Sequence, residues 1–80
     1  MTKDELFTKI QDILVREFDL EKESVTLDAR VFDDLDLDSI DAVDLIVKMK
    51  PFLKTKLEPE AFKSVRTISD ILDVLQPISM

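Results

Sequence analysis

The sequence has no histidine and no cysteine among its 80 residues. Their absence removes the commonest general base, the commonest metal ligand and the only side-chain thiol. Catalytic triads, zinc sites and disulfides are therefore excluded. At this length only about 60% of the unfolded surface can be buried, which leaves little core for a deep catalytic cleft. A carrier or binding protein, with residues 1–80 as a single domain, fits these limits better than an enzyme.

The chain also lacks glycine, low-complexity tracts and internal repeats, so the sequence indicates neither a linker nor a second domain. It has no signal-peptide pattern, and no stretch approaches the ~20 apolar residues of a membrane span. Acidic residues outnumber basic ones 18 to 11, giving a net charge of -7. Such a charge repels nucleic acid and attracts basic proteins. We therefore expect a cytoplasmic monomer that inserts into no membrane, binds no nucleic acid and recognises basic protein surfaces.

Apolar residues at helical spacing predict a first helix from Thr2 to Phe18, opened by a capping box of Thr2 and Glu5. From about residue 19 to 38 the periodicity lapses, which predicts a long loop. We expect this loop to be ordered, because apolar side chains along it can pack against the helices. These side chains are Val25, Leu27, Val31, Phe32 and Leu35.

A second helix is predicted to begin at Asp38 or Ser39 and to end near Lys50, where Pro51 follows. A short third helix is predicted from Pro59 to about Ser64, and a last helix opens with a Thr67–Asp70 capping box and closes at Pro77. The predicted fold is an all-α bundle of four helices, one of them short.

Acidic residues concentrate between residues 28 and 44, where seven carboxylates accompany one arginine. Asp34, Asp36 and Asp38 match the first, third and fifth positions of an EF-hand loop, but Ser39 stands where glycine is needed and Leu45 where a glutamate is needed. An EF-hand is thus disfavoured. Weak divalent-ion binding at the cluster stays open as an alternative; its members are Asp33, Asp34, Asp36 and Asp38.

Ser39 has two interpretations from its position at the start of the second helix. Either Asp38 or Ser39 is simply the helix N-cap, and the acids form a solvated face. Alternatively Ser39 is covalently modified, because a phosphodiester there would meet free backbone N–H groups and a favourable helix dipole. A role as catalytic nucleophile is excluded, since no histidine and no nearby lysine can deprotonate it.

The pattern Asp-Leu-x-x-Asp-Ser-Ile-Asp-x-Val-x-Leu, read from Asp34 to Leu45, resembles the phosphopantetheine attachment motif of the acyl carrier protein family. The order and spacing of the predicted helices resemble that family from about residue 4 to residue 75. The resemblance implies that a phosphopantetheinyl transferase attaches 4'-phosphopantetheine from coenzyme A to Ser39. The arm's thiol then carries acyl cargo as thioesters in fatty acid, polyketide or related biosynthesis, and the chain itself is not an enzyme.

The resemblance also implies which residues meet the partners, which are the transferase and acyl-transferring and condensing enzymes with basic docking surfaces. Asp38 supports attachment, and Asp41 and Asp44 form an acidic recognition face beside Val43 and Val47. For these two valines a place in the core is the alternative. The full set of predicted recognition residues is Asp36, Ile40, Asp41, Val43, Asp44, Val47, Lys48 and Lys50.

Two features depart from the family pattern. Asp36 stands where the family often has glycine, and the end of the second helix is basic, with Lys48 and Lys50 followed by Lys54 and Lys56. Either this basic run is a solvated surface, or it marks a specialised carrier with dedicated partners. The alternative to a carrier is a small, unmodified helical module for protein interaction or divalent-ion binding.

Overall fold

The fold is that of a computed structural model, which describes residues 1–55, 60 and 64–80. Within them lie α1 (Lys3–Glu17), α2 (Ser39–Met49) and α3 (Ile68–Leu75), with short 3-10 turns at Lys22–Ser24, Lys50–Phe52 and Gln76–Ile78. This part of the chain contains isolated β-bridges but no strand. The predicted all-α class is confirmed. The short helix predicted from residue 59 to about 64 falls mainly on residues outside the described ones.

Local hydrogen bonds define both ends of helix α1. Thr2 accepts a hydrogen bond from the Glu5 N–H, and the Glu5 carboxylate accepts one from the Thr2 N–H, which confirms the predicted capping box. At the other end Asp19 takes a left-handed conformation, with φ of 56°, and the Leu20 N–H donates back to the Leu14 carbonyl. Since the chain has no glycine, an aspartate occupies a position that usually favours one.

Local features also define the start of α3 and the end of α2. Helix α3 opens on the predicted capping box, in which Thr67 and Asp70 exchange backbone-to-side-chain hydrogen bonds. The Asp70 carboxylate also accepts a hydrogen bond from the Arg66 N–H, and these contacts lower the pKa of Asp70 below its ordinary value. Helix α2 ends at Met49, just before the turn that contains Pro51.

The core is one apolar cluster to which all three helices contribute. Helix α1 packs against both α2 and α3. Its buried residues recur every four positions, as expected for one helical stripe. The buried helical residues are Leu6, Ile10 and Leu14 of α1, Ala42, Leu45 and Met49 of α2, and Ile68, Ile71, Leu72 and Leu75 of α3.

The connection between α1 and α2 packs on this core through a different set of side chains from the predicted one. Leu27 and Phe32 are exposed, whereas Leu37 is buried. The remaining predicted packing residues are buried: Val25, Val31 and Leu35. The expectation for Leu27 and Phe32 was wrong because a loop without regular periodicity gives no sequence pattern from which to assign inward-facing positions.

Backbone hydrogen bonds attach this connection to the start of α3. The Val31 N–H donates to the Arg66 carbonyl over 2.8 Å, and the Ile68 N–H donates to the Ala29 carbonyl over 3.0 Å. These bonds hold the segment that leads to Ser39 against the bundle. Across the described residues, each helix is too short or too polar to cross a membrane.

Candidate functional site

Ser39 is the first residue of α2, and its side chain is exposed. The helix is capped by the residue before it: the Asp38 carboxylate accepts from the Asp41 N–H over 2.9 Å, and the Asp41 carboxylate accepts from the Asp38 N–H over 3.2 Å. Of the two predicted candidates for the N-cap, the structure therefore has Asp38. The capping bonds do not use the Ser39 hydroxyl, which leaves it accessible at the positive end of the helix dipole.

Arg30 and Asp34 close the loop that leads to Ser39. The Asp34 carboxylate accepts from the Arg30 backbone N–H over 2.8 Å, from Nε over 3.3 Å and from Nη2 over 3.1 Å. The Arg30 carbonyl in turn accepts from the N–H groups of Asp34 and Leu35. The side-chain hydrogen bonds from Arg30 hold the pKa of Asp34 below its ordinary value. Sequence reasoning missed this pair, although arginine and aspartate four residues apart were a visible signal.

The acidic cluster before α2 is divided among different tasks. Arg30 Nη2 lies 3.1 Å from Asp34 Oδ1, and Arg30 Nη1 lies 3.8 Å from Asp33 Oδ2. The Asp38 carboxylate accepts a hydrogen bond in the helix cap. Asp36 takes a left-handed conformation with φ of 55°. Among the described residues no three carboxylates are grouped so that they could hold a metal ion. The carboxylates of this cluster are separated or already bonded, and weak divalent-ion binding there stays a prediction.

An open groove of about 510 Å³ lies along the exposed side of α2. Its apolar members are strongly exposed for their type: Ile40 by 76%, Val43 by 46% and Val47 by 59%. Val43 and Val47 are thus surface residues, and the alternative that they belong to the core is wrong. The groove is lined by Ser39, Ile40, Asp41, Val43, Asp44 and Val47.

The two lysines predicted for partner recognition lie in different surroundings. The Lys48 ammonium is 3.7 Å from the Glu17 carboxylate and 3.7 Å from that of Asp44, and its side chain is only 30% exposed. Lys48 therefore links α2 to the end of α1. Lys50 is exposed, and within the described part of the chain no carboxylate lies within ion-pair distance of it.

Comparison with known proteins places this site in a family. The family model described as "Phosphopantetheine attachment site" matches residues 8–75. The chain belongs to the acyl carrier protein family. It is 41% identical over 78 residues to "Acyl carrier protein 2" of Ralstonia nicotianae, covering 98% of this chain and 96% of that protein. It is also 37% identical over 75 residues to "Acyl carrier protein" of Petrotoga mobilis, covering 94% and 88%.

Membership of the acyl carrier protein family fixes the general function. The chain is a carrier and not a catalyst, and its prosthetic group is 4'-phosphopantetheine. The site fits such a group in two respects: an exposed hydroxyl lies at a helix N-terminus, which favours a phosphodiester, and an apolar groove begins beside it. The nearby Asp38 and Asp41 carboxylates are engaged with backbone N–H groups in the cap, which reduces their repulsion of a phosphate.

Proposed function

We propose that Ser39 is the residue that bears 4'-phosphopantetheine, and that the chain thereby presents acyl intermediates to enzymes of fatty acid, polyketide or related biosynthesis. The observation that carries the proposal is the exposed Ser39 hydroxyl at the first position of α2, left outside a cap made by Asp38 and Asp41. A modifying enzyme can reach this oxygen without disturbing the hydrogen bonds that begin the helix. We also propose that the carrier works as a cytoplasmic monomer, because a net charge of -7 opposes self-association.

In the attachment step, Ser39 Oγ bonds to the phosphorus next to the pantetheine moiety of coenzyme A. The pyrophosphate P–O bond breaks, and adenosine 3',5'-bisphosphate leaves with the electron pair. A base on the transferase takes the Ser39 proton, because the carrier has no histidine for this task. The attached group supplies the thiol that this cysteine-free chain lacks, and acyl cargo is held on it as a thioester.

Recognition by partner enzymes follows from the surface of α2. Asp36 and Asp38, close to Ser39, support docking of the transferase. Long-range attraction between carboxylates and basic enzymes accelerates encounter more than it sets affinity. Asp41 and Asp44 supply this attraction along the groove, and exposed Ile40, Val43 and Val47 supply apolar contacts that lengthen the life of the complex.

Mass spectrometry tests the assignment of Ser39. The purified carrier is incubated with coenzyme A and a broad-specificity phosphopantetheinyl transferase, and the intact mass is measured. The wild type is expected to gain one phosphopantetheine, as is the matched variant Ser24→Ala, which removes an exposed hydroxyl from the turn at Lys22–Ser24. Ser39→Ala is expected to gain none. Equal gain by Ser39→Ala contradicts the proposal by showing that another residue bears the arm. No gain by the wild type also contradicts it, and favours the alternative of an unmodified interaction module.

A further inference from the structure

The exposed stripe of α2 that begins at Ser39 continues to a lysine. Val43, Val47 and Lys50 follow Ser39 at steps of four, four and three residues, so these side chains share one face of the helix. Lys50 has helical backbone angles, with φ of -50° and ψ of -41°, which keeps it in phase with the stripe. Eleven residues of helix place it about 16 Å from Ser39. An enzyme that lies along this groove therefore reaches Lys50.

Lys50 does not stand alone at this end of the helix. The turn at Lys50–Phe52 leads directly to exposed Lys54. From α1, the Lys9 ammonium lies 5.4 Å from the centre of the Phe52 ring, which is a cation–π contact. Lys9 of α1 thus meets, at the half-buried Phe52 ring, the segment that also carries exposed Lys50 and Lys54. We call Lys9, Lys50 and Lys54 the lysine end.

Among the described residues, the charges of Lys50 and Lys54 are not paired with carboxylates. For Lys50 and Lys54, the described residues place no carboxylate within 4 Å, in contrast to Lys48, which lies between two. Hydrogen bonds from Thr2 lower the pKa of Glu5, and the charges of the N-terminus and of Lys9, one turn after Glu5 on α1, add to this lowering. Lys50 and Lys54 are therefore the members of the lysine end with most positive charge available to a partner.

We infer that the dedicated partner of this carrier presents acidic side chains to Lys50 and Lys54, about 16 Å from the basic side chains that meet the Ser39 end. This inference rests on the proposed function, since it concerns enzymes that dock on α2. The net charge of -7 opposes binding of the lysine end to phospholipid or nucleic acid surfaces, where the whole carrier would be repelled. A partner protein with acidic side chains opposite Lys50 and Lys54 and basic side chains opposite the Ser39 end is attracted to both ends of α2.

A docking face with opposite charges at its two ends also selects an orientation. An enzyme that lies along α2 in the reverse direction would set acid against Asp41 and Asp44 and base against Lys50. Juxtaposed like charges penalise that arrangement, and they equally penalise enzymes whose docking surface is basic throughout. The lysine end thus discriminates between partners, while the apolar groove supplies contact area for any of them.

The test measures the dissociation constant for a fatty-acid condensing enzyme whose docking surface is basic throughout. Lys50→Glu and Lys54→Glu are each expected to tighten binding about two- to fivefold, as one exposed charge pair does, and the gain should shrink in high salt. Lys22→Glu makes the same charge change in the turn at Lys22–Ser24, which does not line the groove, and should leave binding within about twofold of the wild type. Equal tightening by Lys22→Glu would mean that only net charge matters, and this overturns the inference.

A second arm tests the acidic partner surface directly. Basic residues of the enzyme's docking surface are changed singly to glutamate. At least one such variant should bind the wild-type carrier more tightly and the Lys50→Glu carrier more weakly than the unchanged enzyme does. If no enzyme variant shows this reversal, the lysine end lies outside the docking face and the inference is wrong. Binding is measured on unmodified and on transferase-treated carrier, so a failure of Ser39 modification is seen separately by mass.

Discussion

Asp36, in the segment before α2, has a backbone conformation whose effect on the free energy of unfolding can be measured. Its φ of 55° lies in the left-handed region, which costs a residue with a Cβ about 1–2 kcal/mol. Glycine removes that cost but gains freedom in the unfolded chain, which offsets about 0.4–1 kcal/mol. Asp36→Gly should therefore be about 1 kcal/mol more stable than Asp36→Ala, which corresponds to about 4–8 °C in melting temperature for a domain of this size.

Thermal unfolding followed by far-ultraviolet circular dichroism measures this difference, since the chain has neither tryptophan nor tyrosine for fluorescence. Asp36→Asn is the control for charge, because it removes the carboxylate and tolerates the left-handed region. Asp19 has nearly the same φ, 56°, at the end of α1, so Asp19→Gly and Asp19→Ala should differ by a similar amount. If Asp36→Ala melts at or above Asp36→Gly, the left-handed assignment before Ser39 is refuted.

Three further outcomes are expected around Ser39. Asp38→Ala should lower the unfolding free energy by about 1 kcal/mol by removing the cap, with Asp38→Asn close to the wild type in the same melting assay. The pKa of Asp34 is lowered by Arg30, so the pair's stabilisation is complete above the unfolded-state pKa and lost as pH falls through the folded one. The melting temperatures of the wild type and of Arg30→Gln should accordingly converge as the solution is acidified. A difference between them that stays constant with pH contradicts this account. Millimolar magnesium should raise the melting temperature no more than sodium chloride of equal ionic strength, because the described carboxylates form no shared site; a specific rise would contradict the arrangement of Asp33 and Asp34 around Arg30.

The helix starts were predictable because their signals are local. A threonine three residues before Glu5 or Asp70 is enough to specify a reciprocal cap, and the structure has both. At α2 the sequence offered two good capping residues in succession. Only geometry distinguishes them: Asp38 exchanges hydrogen bonds with Asp41 across the first turn, which places Ser39 inside the helix as its first residue.

The features that could not be predicted depend on tertiary contacts. Burial in the α1–α2 connection follows from its attachment to residues 66–68, which exposes Phe32 and buries Leu37. Lys48 and Lys50 differ by two positions in sequence, yet only Lys48 meets Glu17 of α1. The approach of Lys9 to Phe52 joins segments more than forty residues apart, and no local pattern indicates such a contact.

The choice of Asp38 as the cap has a consequence for how a carrier changes state. If Ser39 were the N-cap, its hydroxyl oxygen would accept the hydrogen bond that begins α2, and attachment of a phosphodiester there would compete with helix formation. Because Asp38 and Asp41 hold the first turn by themselves, the oxygen of Ser39 is free of any role in it. We therefore expect attachment at Ser39, the site that we propose, to leave α2, its groove and the spacing to Lys50 unchanged. If Ser39 bears the arm, as we propose, a partner enzyme should meet the same surface of α2 before and after attachment.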